Sequence, residues 1–282
     1  MVGILVALAR DSAMSLRTFG VGFLGSSAWN PSTGEFGALS SVYGTVVSTG
    51  IAMLIAVPLS VTIAVFLVEV AHPRVSRVVG GAVELLAAIP SIIYGMWGLF
   101  VVAALMQEKV QPALGKSLGF LPLFKGPPMG IGMLTAGIVL AIMVVPFITA
   151  VTRDVLLMVP PVLKESAHGV GATMWEATRS VSVRYGRRGI IGAIFLGFGR
   201  ALGETMAVTF VIGNSHAISA SLFAAGNTIA STLANEFNEA SEHIYRSALV
   251  ELALVLFAMT LVFQIVAHVW LGRLQRVEAG QR

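Results

Sequence analysis

Two charged side chains stand deep in an apolar stretch, Arg200 and Glu204, within the run Gly-Arg-Ala-Leu-Gly-Glu-Thr-Met-Ala-Val at 199–208. A spacing of four places them on one face of a helix opening near Gly189. At about 1.5 Å per residue, Arg200 then lies roughly 16 Å and Glu204 roughly 22 Å from its start. Charges at that depth in an apolar slab cost about 2.5–3.5 kcal/mol each, so they must face a partner or a wet cavity. A guanidinium offers planar donors that match an oxyanion, and a nearby carboxylate can hold the arginine or release it. The competing reading is a neutral ion pair that only fixes helix packing. Gly199 and Gly203 flank the arginine as a small-xxx-small pair suited to close helix approach. Glu84, six residues before Pro90, is a further candidate for a pathway or a helix contact, the alternative being a place near the cytoplasmic interface.

Other chemistry is missing. The five histidines, at 72, 168, 216, 243 and 268, show no metal-ligand spacing, so neither metal nor cofactor is expected. No phosphate-binding loop of the GxxxxGK[ST] form and no GxSxG elbow occurs, so this chain is not read as an enzyme and ATP hydrolysis must reside elsewhere. Cysteine is absent, which excludes disulfides and thiolate sites.

The elements that must carry these residues are membrane helices. Of 282 residues, 56% are hydrophobic and 11% charged, against the roughly 25% charge usual in soluble domains. Mean hydropathy is +0.86. Long apolar tracts fall at 42–69, 80–106, 129–151, 190–212 and 247–271, each near the ~20 residues that cross a bilayer as helix. Residues 1–9 are apolar but end at Arg10 and Asp11. We read 1–19 as part of a first transmembrane helix whose front half is missing, the alternative being a short re-entrant or interfacial segment. The count becomes about six spans, and residues 20–282 form one transmembrane domain.

Loop charge sets the orientation. Basic residues concentrate in 70–79, in 152–189 and in the tail from Gly272, the tail through Arg273, Arg276 and Arg282. Those segments are expected in the cytoplasm together with the C-terminus. The outer loops are then 18–41, where Trp29 reads as an interfacial anchor, 107–128, and 213–246, where a short surface helix is expected near Glu236, Glu239 and Glu242. Glu251 is expected to pair with Arg246. Glu69, His72 and Arg74 crowd an inner turn and read as snorkelling boundary residues.

Segment 152–189 is too polar to span. Pro160 and Pro161 suit a helix start, and a second short helix fits Thr173 to Val181. Val162, Ala167, Val170 and Met174 can share an apolar face, suited either to docking a protein or to lying on lipid.

Glu165-Ser166-Ala167 followed by Gly171 resembles the EAA signature of inner-membrane subunits of binding-protein-dependent ABC importers. More narrowly, the run from Pro160 to Asn214, with Trp29-Asn30-Pro31 and Tyr43-Gly44-Thr45, is similar to the phosphate-importer permeases. The resemblance covers most of the chain from about residue 19. It implies an all-α, polytopic, MetI-like permease fold in a bacterial or archaeal cytoplasmic (inner) membrane. It also implies that Glu165, Ser166, Ala167 and Gly171 couple to an ATPase, and that Arg200, Glu204 and Glu84 line a path for inorganic phosphate. The implied partners are a second permease PstA, two copies of the ATPase PstB, and the extracytoplasmic phosphate-binding protein PstS. The family's I-x-L-P element reads here Val181-Ser182-Val183-Arg184, so an arginine replaces the proline stop and the second coupling helix is free to continue. A permease for another oxyanion, an ion-coupled secondary transporter and a non-transporting scaffold are the competing classes.

Overall fold

The computed structural model describes residues 2–279, with side chains for 3–272. The side chains of Arg273 and Arg276, and all of Arg282, lie outside the described set. Among the described residues the chain is helical, with one isolated antiparallel bridge between Asn30 and Glu35.

Among the described residues, four helices are long and apolar enough to cross a membrane: Leu39–Val70, Ser91–Leu118, Met133–Leu157 and His243–Gly272. Pro58 and Pro146 stay inside their helices. Each removes one N–H from the ladder. The Ser60 hydroxyl donates to the carbonyl of Val145 at 3.1 Å, beside Pro146.

Two expected spans are divided. The 80–106 tract breaks at Ala88–Pro90, because a proline cannot donate to the ladder and its predecessor disfavours helix. A separate helix, Pro73–Ala87, therefore precedes the span that opens at Ser91. That span runs on to Leu118, so Lys109 and Lys116 are helical where an outer loop was expected. The 190–212 tract breaks too: the helix Val183–Leu202 ends, residues 203–205 leave it, and Met206–Thr209 forms one further turn.

The chain folds into two compact units, Met1–Ala52, Pro90–Leu140 and Leu202–Val262 in one, and Met53–Ile89, Ala141–Ala201 and Phe263–Arg282 in the other. The first buries Phe23, Phe36, Ile229, Leu249 and Leu252 together. Residues 2–19 belong to it as two short helices, Val2–Asp11 and Ala13–Phe19. The second of these is tied to the last long helix, since the Ser15 N–H donates to Ser247 Oγ at 3.1 Å. Free N–H groups at the start of Met133–Leu157 are met by a loop: Gly132, Met133 and Leu134 donate to the carbonyls of Val211, Ala224 and Leu222. Gly44 lies against the backbone of Asn227 so closely that a Cβ there would stand 1.9 Å from its carbonyl oxygen.

The second unit packs Ala64, Leu156 and Ile190 at its centre. Gly189 and Gly197 let the helix that bears Arg200 approach its neighbour, where an added Cβ would meet Val155 and Ile148 at 2.5 Å each. Rings of Phe198 and Phe263 stack at 3.8 Å, with Phe195 edge-on to Phe263.

Candidate functional site

Arg200 sits near the end of the helix Val183–Leu202, half-buried. Its guanidinium carbon stands 5.5 Å from the centroid of the Phe147 ring, in reach of a cation–π contact. Its Nε is buried with no hydrogen-bond partner among the described residues. Among the described residues no carboxylate pairs with it. An arginine held over an aromatic face with donors still unused is chemically suited to an oxyanion.

Glu204 does not share a helix face with Arg200, contrary to the four-residue spacing. The helix has ended at Leu202, and the Glu204 carboxylate accepts the Ala207 N–H at 3.1 Å, holding the short turn Met206–Thr209. The small-xxx-small expectation also changes. A Cβ at Gly199 would meet nothing within 4 Å, while Gly203 is exposed and outside the helix; on the helix that bears Arg200 the close approaches within this chain include Gly189 and Gly197.

Glu84, on Pro73–Ala87, accepts from Arg153 Nη1 at 2.7 Å. The arginine stem runs across Gly80, where a Cβ would come within 2.7 Å of the guanidinium carbon. Glu84 thereby makes a helix contact in this chain, one of the three readings open to it from sequence.

Segment 152–189 has the two short helices expected after Pro160. Pro161–Gly169 opens with proline, and Gly171 takes the left-handed region at φ +89, which reverses the chain. Thr173 then caps the next helix through a full capping box with Glu176. The Glu176 carboxyl lies below its ordinary value because the Thr173 N–H and hydroxyl both donate to it. Past Ala177 the helix continues through a wide turn, Thr178–Ser182, into Val183–Leu202 without a stop. Arg184 is thus accommodated as expected for a position that lost its proline.

Glu165, Ser166 and Gly171 are exposed, and Ala167 is half-buried. Val162, Val170 and Met174 remain exposed apolar side chains, Val170 at 86%. Their face is not used in this chain's own core. The segment is anchored instead by a residue that the sequence reading assigned elsewhere. Glu69, expected to snorkel, has its side chain only 10% exposed and accepts from Lys164 Nζ at 2.7 Å.

On the first unit, Glu236 ends the helix Ile229–Glu236 and gathers three donors: Trp29 Nε1 at 2.7 Å, Tyr245 Oη at 2.6 Å and His216 Nε2 at 3.0 Å. Trp29 stacks on His216, with centroids 5.2 Å apart and planes 6° from parallel. Burial alone would raise the Glu236 carboxyl; the bonds from His216, Tyr245 and Trp29 outweigh it and hold the group below its ordinary value. The expected surface helix therefore exists, but its first residues are buried, and Trp29 is a hydrogen-bond donor inside a cluster. Glu251 does not pair with Arg246. Five residues apart on a helix is about 140° around the axis, so Glu251 is buried at 3% while Arg246 lies over the Phe237 ring.

Comparison with known proteins places this geometry. The model of binding-protein-dependent transport system inner membrane components matches residues 56–276. The phosphate transport system permease protein PstC of Mesorhizobium japonicum is 54% identical over 276 residues, covering 96% of this chain and 84% of that protein. PstC of Haemophilus influenzae is 49% identical over 282 residues, covering 99% and 89%. Among solved structures, an alginate ABC importer superposes with TM-score 0.59 at 15% identity, covering 95% of this chain and 88% of that one. The inward-facing MetNI methionine transporter gives 0.57 at 18%, covering 83% and 92%. These likenesses carry the fold, an all-α, multi-pass MetI-like permease. Family match and long apolar helices agree, and the chain belongs to the family of inner-membrane components of binding-protein-dependent transport systems.

Proposed function

We propose that this chain is a permease subunit of an ATP-driven importer for inorganic phosphate. The observation that carries the reading is 54% identity across 96% of the chain with a phosphate permease. It is supported by a half-buried arginine whose Nε has no partner among the described residues. Phosphate passes Arg200 in a cavity shared with a second permease of the PstA type. Glu204 shapes the backbone just beyond that arginine and does not pair with it. Two ATPase subunits of the PstB type dock on the exposed face around Glu165, Ser166, Ala167 and Gly171, and a PstS-type binding protein delivers the anion to the opposite side. The C-terminus lies in the cytoplasm, as the basic residues of 152–189 favour.

Coupling follows from the anchor. A push on Pro161–Gly169 reaches the end of the Leu39–Val70 span through the Lys164–Glu69 ion pair. No covalent step occurs on this chain, and no residue here is catalytic. The substrate assignment is tested in cells lacking their own phosphate importer that express the chain with its companion subunits. Uptake of labelled phosphate that excess unlabelled phosphate suppresses, and excess sulfate does not, is the expected result. Sulfate suppression with no phosphate uptake would assign another oxyanion.

A further inference from the structure

A groove of about 540 Å³ runs along the cytoplasmic coupling helix, lined by Trp175, Glu176, Arg179, Ser180, Arg184 and Arg187. All six belong to one continuous helical run over 174–202. Their spacing of three and four residues stacks them on one side of it. Three guanidinium groups and one carboxylate line the groove. That carboxylate, Glu176, is already engaged by the N–H and hydroxyl of Thr173 at 2.8 Å each. Ser180 is committed as well, its hydroxyl donating to the Glu176 carbonyl. Arg179 and Arg184 are exposed, and among the described residues no carboxylate pairs with either. Trp175, 68% exposed, forms a flat wall at one end. The groove exists because the helix continues past Arg184, the position where a proline would have ended it.

We propose that this groove is a binding site for a phosphate group, separate from the path past Arg200. Planar guanidinium forks stacked along a helix fit the oxygens of a tetrahedral oxyanion, and the volume suits a small anion or a headgroup. The group has two possible sources, free inorganic phosphate in the cytoplasm and the headgroup of an anionic phospholipid of the inner leaflet. The site stands on the groove alone and holds whatever the chain transports.

The test uses the assembled transporter in nanodiscs, wild type against the Arg179→Gln/Arg184→Gln double variant. Arg200 is kept in both, so any difference belongs to the groove. In the first arm the discs contain only phosphatidylcholine, and equilibrium binding of labelled phosphate is measured. In the second, the discs contain phosphatidylglycerol, and lipid retained through detergent exchange is read by native mass spectrometry. Wild type should exceed the variant by at least about tenfold in one arm, and that arm names the source. Equal behaviour in both arms overturns the site. Loss of ATPase co-purification with both arms unchanged also overturns it, because the stripe would then be a protein dock. Should the double variant lower the thermal transition of the complex, Arg184→Gln alone is read by the same criteria.

Discussion

Glu69 Oε1 and Lys164 Nζ stand 2.7 Å apart, joining the end of the Leu39–Val70 span to the helix Pro161–Gly169. The two side chains are 95 residues apart in sequence. Being mostly shielded on the glutamate side, the pair should contribute about 1–2 kcal/mol, between exposed and fully buried pairs. Lys164→Met is expected to leave assembly intact while lowering transport per ATP hydrolysed by severalfold. A ratio unchanged from wild type, with hydrolysis and uptake measured on the same proteoliposomes, would remove the pair from the coupling route.

The Glu236 cluster gives a pH dependence. Its carboxyl is held below the ordinary value of 4.5, so it adds stability that is complete above that value and lost as pH falls through the lower folded-state value. Trp29→Phe removes one of its three donors and should cost about 1–2 kcal/mol. Wild type should lose thermal stability on acidification below about pH 4.5, and Glu236→Gln should show a flatter profile through the same range. Parallel profiles for the two proteins would show that the carboxylate does not set the dependence.

Glycine positions separate by what surrounds them. Gly44→Ala would put a Cβ against the Asn227 carbonyl, a backbone atom that cannot rotate away, and should prevent the first unit from folding. Gly199→Ala meets nothing in this chain and should leave its stability within about 0.5 kcal/mol. Membrane abundance and thermal stability of the two variants, compared side by side, check both statements. A destabilised Gly199→Ala would restore the close-approach reading of that residue.

At the coupling turn, Gly171→Ala forces a Cβ into the left-handed region at a cost of about 1–2 kcal/mol. Thr173→Ala removes the cap of the next helix at about 1 kcal/mol. Both should weaken co-purification of the ATPase before they affect insertion. Hydrogen exchange over 169–178 reports the fraying directly, and unchanged protection in both variants would contradict the role of the cap.

The membrane class, the two short helices after Pro160 and the partial burial of Arg200 were legible because each depends on local sequence. Apolar length marks a span, Pro161 a helix start, and a lone guanidinium in an apolar run a buried cation. What escaped depends on backbone breaks and distant partners. The four-residue spacing of Arg200 and Glu204 implied one face only if the helix continued, and nothing in the local pattern shows that it stops at Leu202. Gly199 looked like half of a packing pair, yet a Cβ there meets nothing within this chain, while Gly186, Gly189 and Gly197 on the same helix each have a neighbour. Trp29 and Glu236 are 207 residues apart, and composition alone assigned one to the interface and the other to a loop surface. Arg246 and Glu251 show the reverse error, since nearness along a helix was taken for nearness around it.

The central claim is that phosphate passes Arg200 on its way through this permease. It is tested most directly by ATP-dependent uptake of labelled phosphate into proteoliposomes holding the assembled transporter, wild type against Arg200→Ala, with ATPase content matched. The account predicts that the assembled variant still hydrolyses ATP and loses uptake by at least about a hundredfold, the effect of removing charge-assisted bonds from a shielded site. An assembled Arg200→Ala transporter that takes up phosphate at the wild-type rate would contradict it.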